Sequence, residues 1–169
     1  MYGRTGYEIA MKQIEFTRKY TLSLLKDIDD DLWLVKPAGS PTHLAWQVGH
    51  LAMAEFMLTM FRARGKHDND EQLIPKSFLK LFLKGTTPED DGSKYPAPPE
   101  ILEVFHNVHQ QLLIEAPTWT DEQLDQPVVE PRSVCETVLG SMFFCSSHEM
   151  LHAGQIGLLR RLHGKAPIR

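Results

Sequence analysis

The chain has 169 residues, 42% of them hydrophobic, which suffices for one domain with a buried core and is cramped for two. A formal net charge of −4 argues against a nucleic-acid-binding protein, because such proteins usually carry a basic surface. The sequence has no apolar run of about 18 residues, no N-terminal apolar segment typical of a signal peptide and only two cysteines, which together favour a single cytoplasmic domain over residues 1–169.

Apolar residues at helical spacing predict a first helix from about Gly6 to Ile28, where consecutive aspartates favour a turn. A second helix is predicted from Ser40, as N-cap before Pro41, to Gly65 as the C-terminal cap. The apolar stripe of this second helix contains Trp46, His50, Met53, Met57 and Phe61.

Residues 66–97 form the least regular part of the chain. Within it, residues 75–84 favour one short helix whose apolar side chains point inward. Residues 85–97, rich in glycine and proline, predict a mobile loop that lies over or beside any functional site. A third long helix is predicted from Pro98 to about Ala116.

A capping box at Thr120 and Gln123 predicts a short turn in the next connection. The last helix is predicted to begin with a second capping box at Ser133 and to end at Gly164. Four long helices with complementary apolar faces predict an all-α protein, a four-helix bundle. The inward face of the last helix is predicted to carry Val134, Val138, Ser141, Cys145, His148, His152, Gln155 and Leu159.

Three histidines stand on predicted inward faces. His148 and His152 are four residues apart, so their side chains share one helical face with Cβ atoms about 5–6 Å apart. His50 lies on the apolar stripe of another helix. A buried polar group without a partner costs about 1–3 kcal/mol, so each imidazole needs either a core hydrogen bond or a shared metal. We interpret His50, His148 and His152 as ligands of one divalent metal. The histidines not expected to be ligands are His43, His67, His106, His109 and His163.

The run from His148 to His152 also matches the H-E-x-x-H pattern of zinc peptidases, whose glutamate is the general base. The extended peptidase motif would need glycine and histidine where Gln155 and Leu158 stand, and no acidic residue follows Glu149. The peptidase interpretation is therefore disfavoured. Glu149 remains a candidate catalytic residue, with a structural or solvated carboxylate as the alternative, because it faces about 100° away from His148. Gln155 is a candidate contact to substrate or to a metal-binding histidine, with packing in the bundle as the alternative.

Two segments resemble the helix signatures of the DinB/YfiT-like family: residues 46–55, which read WQVGHLAMAE, and residues 148–156, which read HEMLHAGQI. The usual Leu-Leu-Arg-Arg ending follows at residues 158–161, and the resemblance covers nearly the whole chain. It implies a bundle of up-down-down-up type with one long crossover. It also implies a divalent metal held by three histidines, which correspond here to His50, His148 and His152. Zinc and nickel are the first expectations for this metal, and iron and manganese also accept imidazole ligands.

The resemblance implies a metal-dependent enzyme for an unknown small molecule, either hydrolase-like or an S-transferase that uses a low-molecular-weight bacterial thiol. Three imidazoles leave a coordination position open, which is typical of catalytic metal sites. The alternative is a non-catalytic metal-binding bundle for sensing or assembly, because no unambiguous general base stands beside the ligands. No nucleic-acid or membrane partner is expected. A homodimer is a candidate assembly, and packing within one chain explains equally well the apolar cluster that motivates it, which consists of Phe56, Met57, Met60 and Phe61.

Overall fold

The computed structural model describes residues 3–128 and 134–168. These residues form helices, three short 3-10 turns and one isolated β-bridge between Pro127 and Thr137. The all-α prediction is confirmed. The long helices are the four that the apolar stripes predict, and the connections between them contain further short helices. The α-helices are α1 (Gly3–Leu25), α2 (Leu44–Leu58), α3 (Met60–Arg64), α4 (Asp70–Leu73), α5 (Lys76–Phe82), α6 (Pro98–Glu115), α7 (Asp121–Asp125) and α8 (Val138–Leu162).

The long helices pack through the apolar stripes that the sequence predicts. Helix α1 packs along α8, and α2 packs against both α6 and α8, so that α2 and α8 meet in the centre of the protein. Ile14 of α1, Val48 of α2, Phe105 of α6 and Ile156 of α8 are fully buried between them. Burying one such side chain contributes about 1.5–3 kcal/mol. The contact between α2 and α8 is the one that brings the candidate metal ligands together.

Helix α1 ends earlier than predicted, at Leu25 instead of Ile28. The reason is Asp27, whose φ of 62° lies in the left-handed region that stops an α-helix and that aspartate tolerates better than most residues. The backbone N–H of Ile28 then turns back to the carbonyl of Leu25. Ile28 is still buried, so the apolar stripe continues into the turn after the helix has ended.

The prediction of Ser40 as the N-cap of α2 is wrong. The Ser40 hydroxyl bonds to the backbone of Thr42, and α2 begins at Leu44. The cap is His43, whose backbone is extended and whose Nδ1 accepts a hydrogen bond from the N–H of Trp46 at 3.1 Å. An imidazole nitrogen thus fills the place that serine and asparagine oxygens usually fill.

The second predicted helix is divided at Thr59, which separates α2 from α3. The Thr59 hydroxyl donates to the carbonyl of Glu55, four residues back, a bond that often bends helices. The predicted cap at Gly65 is confirmed by its φ of 72°. Phe56 and Met60, two members of the apolar cluster, are buried inside this chain, so internal packing accounts for part of the cluster. The homodimer stays a prediction.

The crossover forms α4 and α5, and the prediction of a short helix within residues 75–84 is confirmed by α5. Phe78 and Phe82 of α5 are buried against α2. This close approach depends on Gly49, because a Cβ added there would lie 2.4 Å from the Phe82 ring. Lys84 and Gly85, at the start of the following loop, line the cavity beside the three histidines, as expected for a loop beside the site.

Helix α8 begins at Val138, later than predicted, and Thr137 caps it by accepting from the N–H of Gly140 at 3.1 Å. The extended pairing of Thr137 with Pro127 keeps the chain out of the helix up to this point. Ser133, the predicted cap, lies outside the described residues, and Val134 is exposed before the helix begins. Gly164 ends the helix as predicted, with a φ of 78°. In the part of the chain that the structure describes, no helix is long and apolar enough to cross a membrane.

Candidate metal centre

Helices α2 and α8 bring His50, His148 and His152 together. One ring nitrogen from each residue lies within 4.8 Å of the corresponding nitrogens of the other two. The ring centroids are 5.2 Å apart for His50 and His148, and 4.6 Å apart for His148 and His152. His50 is buried, whereas the two histidines of α8 are half-buried. The three predicted ligands therefore form one cluster that is accessible from one side.

The ring of His50 is held by a hydrogen bond from one nitrogen and by a stacked indole. Its Nδ1 lies 2.8 Å from the backbone carbonyl of Phe82, and a carbonyl only accepts, so Nδ1 carries the proton. Trp46 stacks on the same ring with centroids 4.8 Å apart and planes 8° from parallel. The indole N–H of Trp46 donates in turn to the hydroxyl of Thr86, which lies in the loop that follows α5. The Nε2 lone pair of His50 is thereby left free to bind a metal.

His152 is oriented by a chain of two glutamines. Its Nδ1 donates to the Gln47 side-chain oxygen at 2.6 Å, so the remaining nitrogen of the ring, Nε2, is unprotonated. The amide group of Gln47 donates to Gln155 at 2.8 Å and to Thr42 at 3.0 Å, which fixes the direction of its oxygen. Gln155 is exposed and accepts from Gln47, which in turn bonds to His152. A contact of Gln155 to substrate or to a metal-binding histidine stays a prediction.

The distance between two of the ring nitrogens fits a tetrahedral metal. Nε2 of His50 and Nε2 of His148 are 3.4 Å apart. Two nitrogens bound to one tetrahedral zinc at 2.0–2.1 Å lie about 3.3–3.4 Å from each other. Nε2 of His50 can accept a hydrogen bond from Nε2–H of His148 at this distance, and a divalent ion bound by both nitrogens would replace that proton. The residues present therefore fit a divalent ion held by three imidazoles.

A cavity of about 410 Å³ opens beside the three rings. Its wall is mainly apolar, with Trp46 and Met53 of α2 and Phe144 of α8 among the residues that form it. This volume falls in the range of small-molecule sites, about 300–1,000 Å³. The cavity gives a small molecule access to the position that the three nitrogens face.

Burial keeps the ligand histidines neutral. Burial, the His50 ring and Lys84 lower the pKa of His148 to about 4. Burial together with the two other imidazoles lowers the pKa of His152 to about 3, and burial also lowers the pKa of His50. Neutral imidazole is the form that binds metals, so the cluster is ready for metal at neutral pH.

The comparison with protein families agrees with this site. The family model of the DinB superfamily matches residues 13–156, a range that includes all three histidines. The chain belongs to the DinB superfamily. No curated protein matches its sequence. In this DinB superfamily protein, the helical fold and the histidine cluster are compatible with divalent metal binding.

Glu149, the predicted catalytic residue, is buried in an ion pair. Its two oxygens accept from Nε and Nη2 of Arg18, at 3.1 and 3.3 Å. Burial, which outweighs the opposing effect of Arg18, holds the pKa of Glu149 above its usual value. The structural carboxylate, rather than the solvated one, is the alternative that fits this position. A catalytic role for Glu149 stays a prediction from the motif.

Arg18 connects all four long helices of this DinB superfamily protein. Its guanidinium from α1 binds Glu149 of α8, Glu55 of α2 at 2.7 Å and the carbonyl of Phe105 in α6 at 2.8 Å. Glu55 also pairs with His109 at 2.7 Å. Burial raises the pKa of Glu55, but Arg18 and His109 outweigh that effect and leave it below the usual value. We call Arg18, Glu55, His109 and Glu149 the buried charge network.

Sequence reasoning missed both the buried charge network and the supports of the ligands. Gln47 precedes His50 by three residues, so helical spacing alone places it beside that ligand. Arg18 follows Ile14 by four residues and thus stands within the apolar stripe of α1, where a charge demands a partner. No local pattern marks the carbonyl of Phe82. His43 and His109, which were not expected to be ligands, serve instead as a helix cap and an ion-pair partner.

Replacing Gln47 by leucine is expected to weaken metal binding about 10–100-fold, because partners that orient a metal-binding histidine typically contribute that much. His152 would lose the acceptor that holds its tautomer. Titration against a chromophoric chelator measures the metal affinity. Gln110→Leu, an exposed change on α6, is the matched control. A change of less than about threefold in Gln47→Leu would contradict the role of Gln47, given that expected range.

The metal-free protein is expected to become less stable as the pH falls from about 6.5 toward 5. In that interval the unfolded chain protonates histidines with an ordinary pKa, while the folded pKa values of His148 and His152 are about 4 and about 3. The unfolded state binds more protons than the folded state, so the free energy of unfolding decreases as the pH is lowered. Urea denaturation at pH 7.5, 6 and 5 measures it. The His148→Gln/His152→Gln variant should show a shallower decline, and equal slopes in both proteins would contradict the prediction.

Proposed function

We propose that the protein is a divalent-metal-dependent enzyme that acts on a small molecule, and that its reaction is thiol S-transfer. The observation that carries this proposal is the convergence of three imidazoles beside a cavity of about 410 Å³. Three protein ligands with a further position open toward a cavity are typical of catalytic zinc sites. Zinc and nickel are the proposed ions, and iron and manganese are the other divalent candidates.

The protein's own groups prepare this site before a substrate binds. Phe82 and Gln47 hold the Nδ1 protons of His50 and His152, so the opposite nitrogens stay unprotonated. Trp46, Met53 and Phe144 form an apolar wall beside these nitrogens, against which the apolar part of a substrate can pack. A divalent ion supplies Lewis acidity, which lowers the pKa of a thiol or of a water.

The position of Glu149 supports S-transfer over hydrolysis. Hydrolysis by the peptidase-like scheme needs a carboxylate as general base beside the ligands. Both oxygens of Glu149 are bound to Arg18, and the described residues that line the cavity include no carboxylate. A thiol needs no such base once its pKa is lowered. In the proposed reaction the sulfur forms a bond to an electrophilic carbon, the leaving group departs with its electron pair, and the thiol proton passes to solvent.

The test begins with elemental analysis of protein purified without added metal. The metal-loaded protein is then assayed with low-molecular-weight bacterial thiols and an activated aryl chloride, and separately with a nitrophenyl ester without thiol. We expect thioether formation that His152→Ala abolishes. Ester turnover without thiol would replace S-transfer by hydrolysis. Metal-loaded protein without either activity would overturn the enzyme proposal in favour of a non-catalytic metal-binding bundle.

A further inference from the structure

The cavity beside the histidines carries positive charge on a mainly apolar wall. Arg62 of α3 and Lys84 of the crossover line it together with Met53, Met57 and Phe144. The lining residues that the structure describes include no aspartate or glutamate. A concave wall of low dielectric with charges of one sign concentrates oppositely charged ligands.

The two cations differ from the other basic side chains nearby because no described carboxylate pairs with them. Nε of Arg62 is buried and has no hydrogen-bond partner within residues 3–128 and 134–168. Arg64, only two residues further along α3, binds both Asp70 and Glu115. The buried Nε is not itself accessible, so a ligand in the cavity would bind the terminal nitrogens of the Arg62 guanidinium. Arg62 is therefore available to a ligand in the cavity, whereas Arg64 is not.

We propose that the cavity binds a small molecule with an apolar body and one anionic group, and that Arg62 and Lys84 bind the anionic group. Trp46, Met57 and Phe144 provide the surface for the apolar body. A carboxylate or a phosphate suits the two cations, because charge-assisted hydrogen bonds to such groups are stronger than neutral ones. The proposal rests on the proposed function in one respect, since it identifies this ligand with the substrate of the metal site.

The first experiment compares two probes that share a ring and a thiol and differ in charge. Isothermal titration calorimetry measures the binding of para-mercaptobenzoate and para-mercaptobenzamide to metal-loaded protein. We expect the carboxylate to bind about tenfold more tightly than the amide, as two partly exposed ion pairs allow. Arg62→Gln/Lys84→Gln should remove this preference and leave the metal content unchanged. Equal affinities for the two probes in the unaltered protein would overturn the proposal.

A matched control removes two positive charges elsewhere. Lys80→Gln/Arg161→Gln changes two exposed residues that do not line the cavity, and it should keep the preference for the carboxylate. A preference that survives in Arg62→Gln/Lys84→Gln, or disappears equally in the control, would also overturn the assignment. Circular dichroism confirms that each variant is folded.

A second pair of probes separates this inference from the proposed function. Phenylbutyrate and phenylbutyramide lack a thiol, and His148→Ala provides protein without metal. A preference for phenylbutyrate in that variant supports the anion site even where S-transfer fails. S-transfer activity without discrimination between charged and uncharged probes would refute the anion site and leave the proposed function in place.

Discussion

Replacing His148 by alanine is expected to lower the affinity for divalent metal more than about 100-fold, beyond the loss typical of residues that only orient a ligand. His148 supplies the Nε2 atom that faces His50 at 3.4 Å. Its removal leaves two imidazoles, which form a much weaker site than three. Elemental analysis and calorimetric titration with zinc measure the effect, and His152→Ala should behave in the same way.

The control for this prediction is His106→Ala, which removes an exposed imidazole on α6 outside the cluster. It should bind the same amount of metal as the unaltered protein. Full metal content in both His148→Ala and His152→Ala would refute the metal centre itself. Far-UV circular dichroism distinguishes loss of the site from loss of the fold.

Replacing Arg18 by methionine is expected to destabilise the protein by about 3–5 kcal/mol, the usual cost of breaking a buried ion pair from one side. Arg18 is 2% exposed, and Glu55 and Glu149 are equally buried around it. Without the guanidinium, Glu149 keeps no cation, whereas Glu55 keeps His109. Urea denaturation at neutral pH measures the change in the free energy of unfolding.

Two further variants decide whether the buried charge is the cause. Lys19→Met removes the neighbouring but exposed cation, and a surface ion of this kind contributes only about 0–1 kcal/mol. Arg18→Met/Glu149→Met removes the orphaned carboxylate as well and should recover a large part of the stability. A single Arg18→Met variant as stable as Lys19→Met would contradict the prediction.

The features that could be predicted from the sequence are those that depend on residue spacing within one helix. The four-residue interval between His148 and His152 predicted that their imidazoles lie side by side, and the apolar stripe around His50 predicted that its ring faces the same interior. The capping box at Thr120 and Gln123 is confirmed. The simple N-cap at Ser40 is wrong, because Ser40 bonds to the backbone of Thr42 and an imidazole caps α2 in its place. Local preference cannot anticipate such competition from nearby backbone groups.

The partners of these residues were harder to predict because they are distant in the sequence. Arg18 and Glu149 are 131 residues apart, and Gln47 and His152 are 105 residues apart. Only the packing of α1 on α8 and of α2 on α8 brings them into contact. Glu149 illustrates the limit, since the motif places it beside a ligand while the fold turns it toward Arg18.

The hydrogen bond from His50 to the Phe82 carbonyl joins the metal centre to the crossover. Local opening of α5 would release the His50 ring. By thermodynamic linkage, an ion that binds only the closed state would raise the free energy of this opening. An ion bound by His50 would therefore make the crossover open less often. Gly49, which admits the Phe82 ring against α2, is thus the residue on which this connection between the crossover and His50 depends.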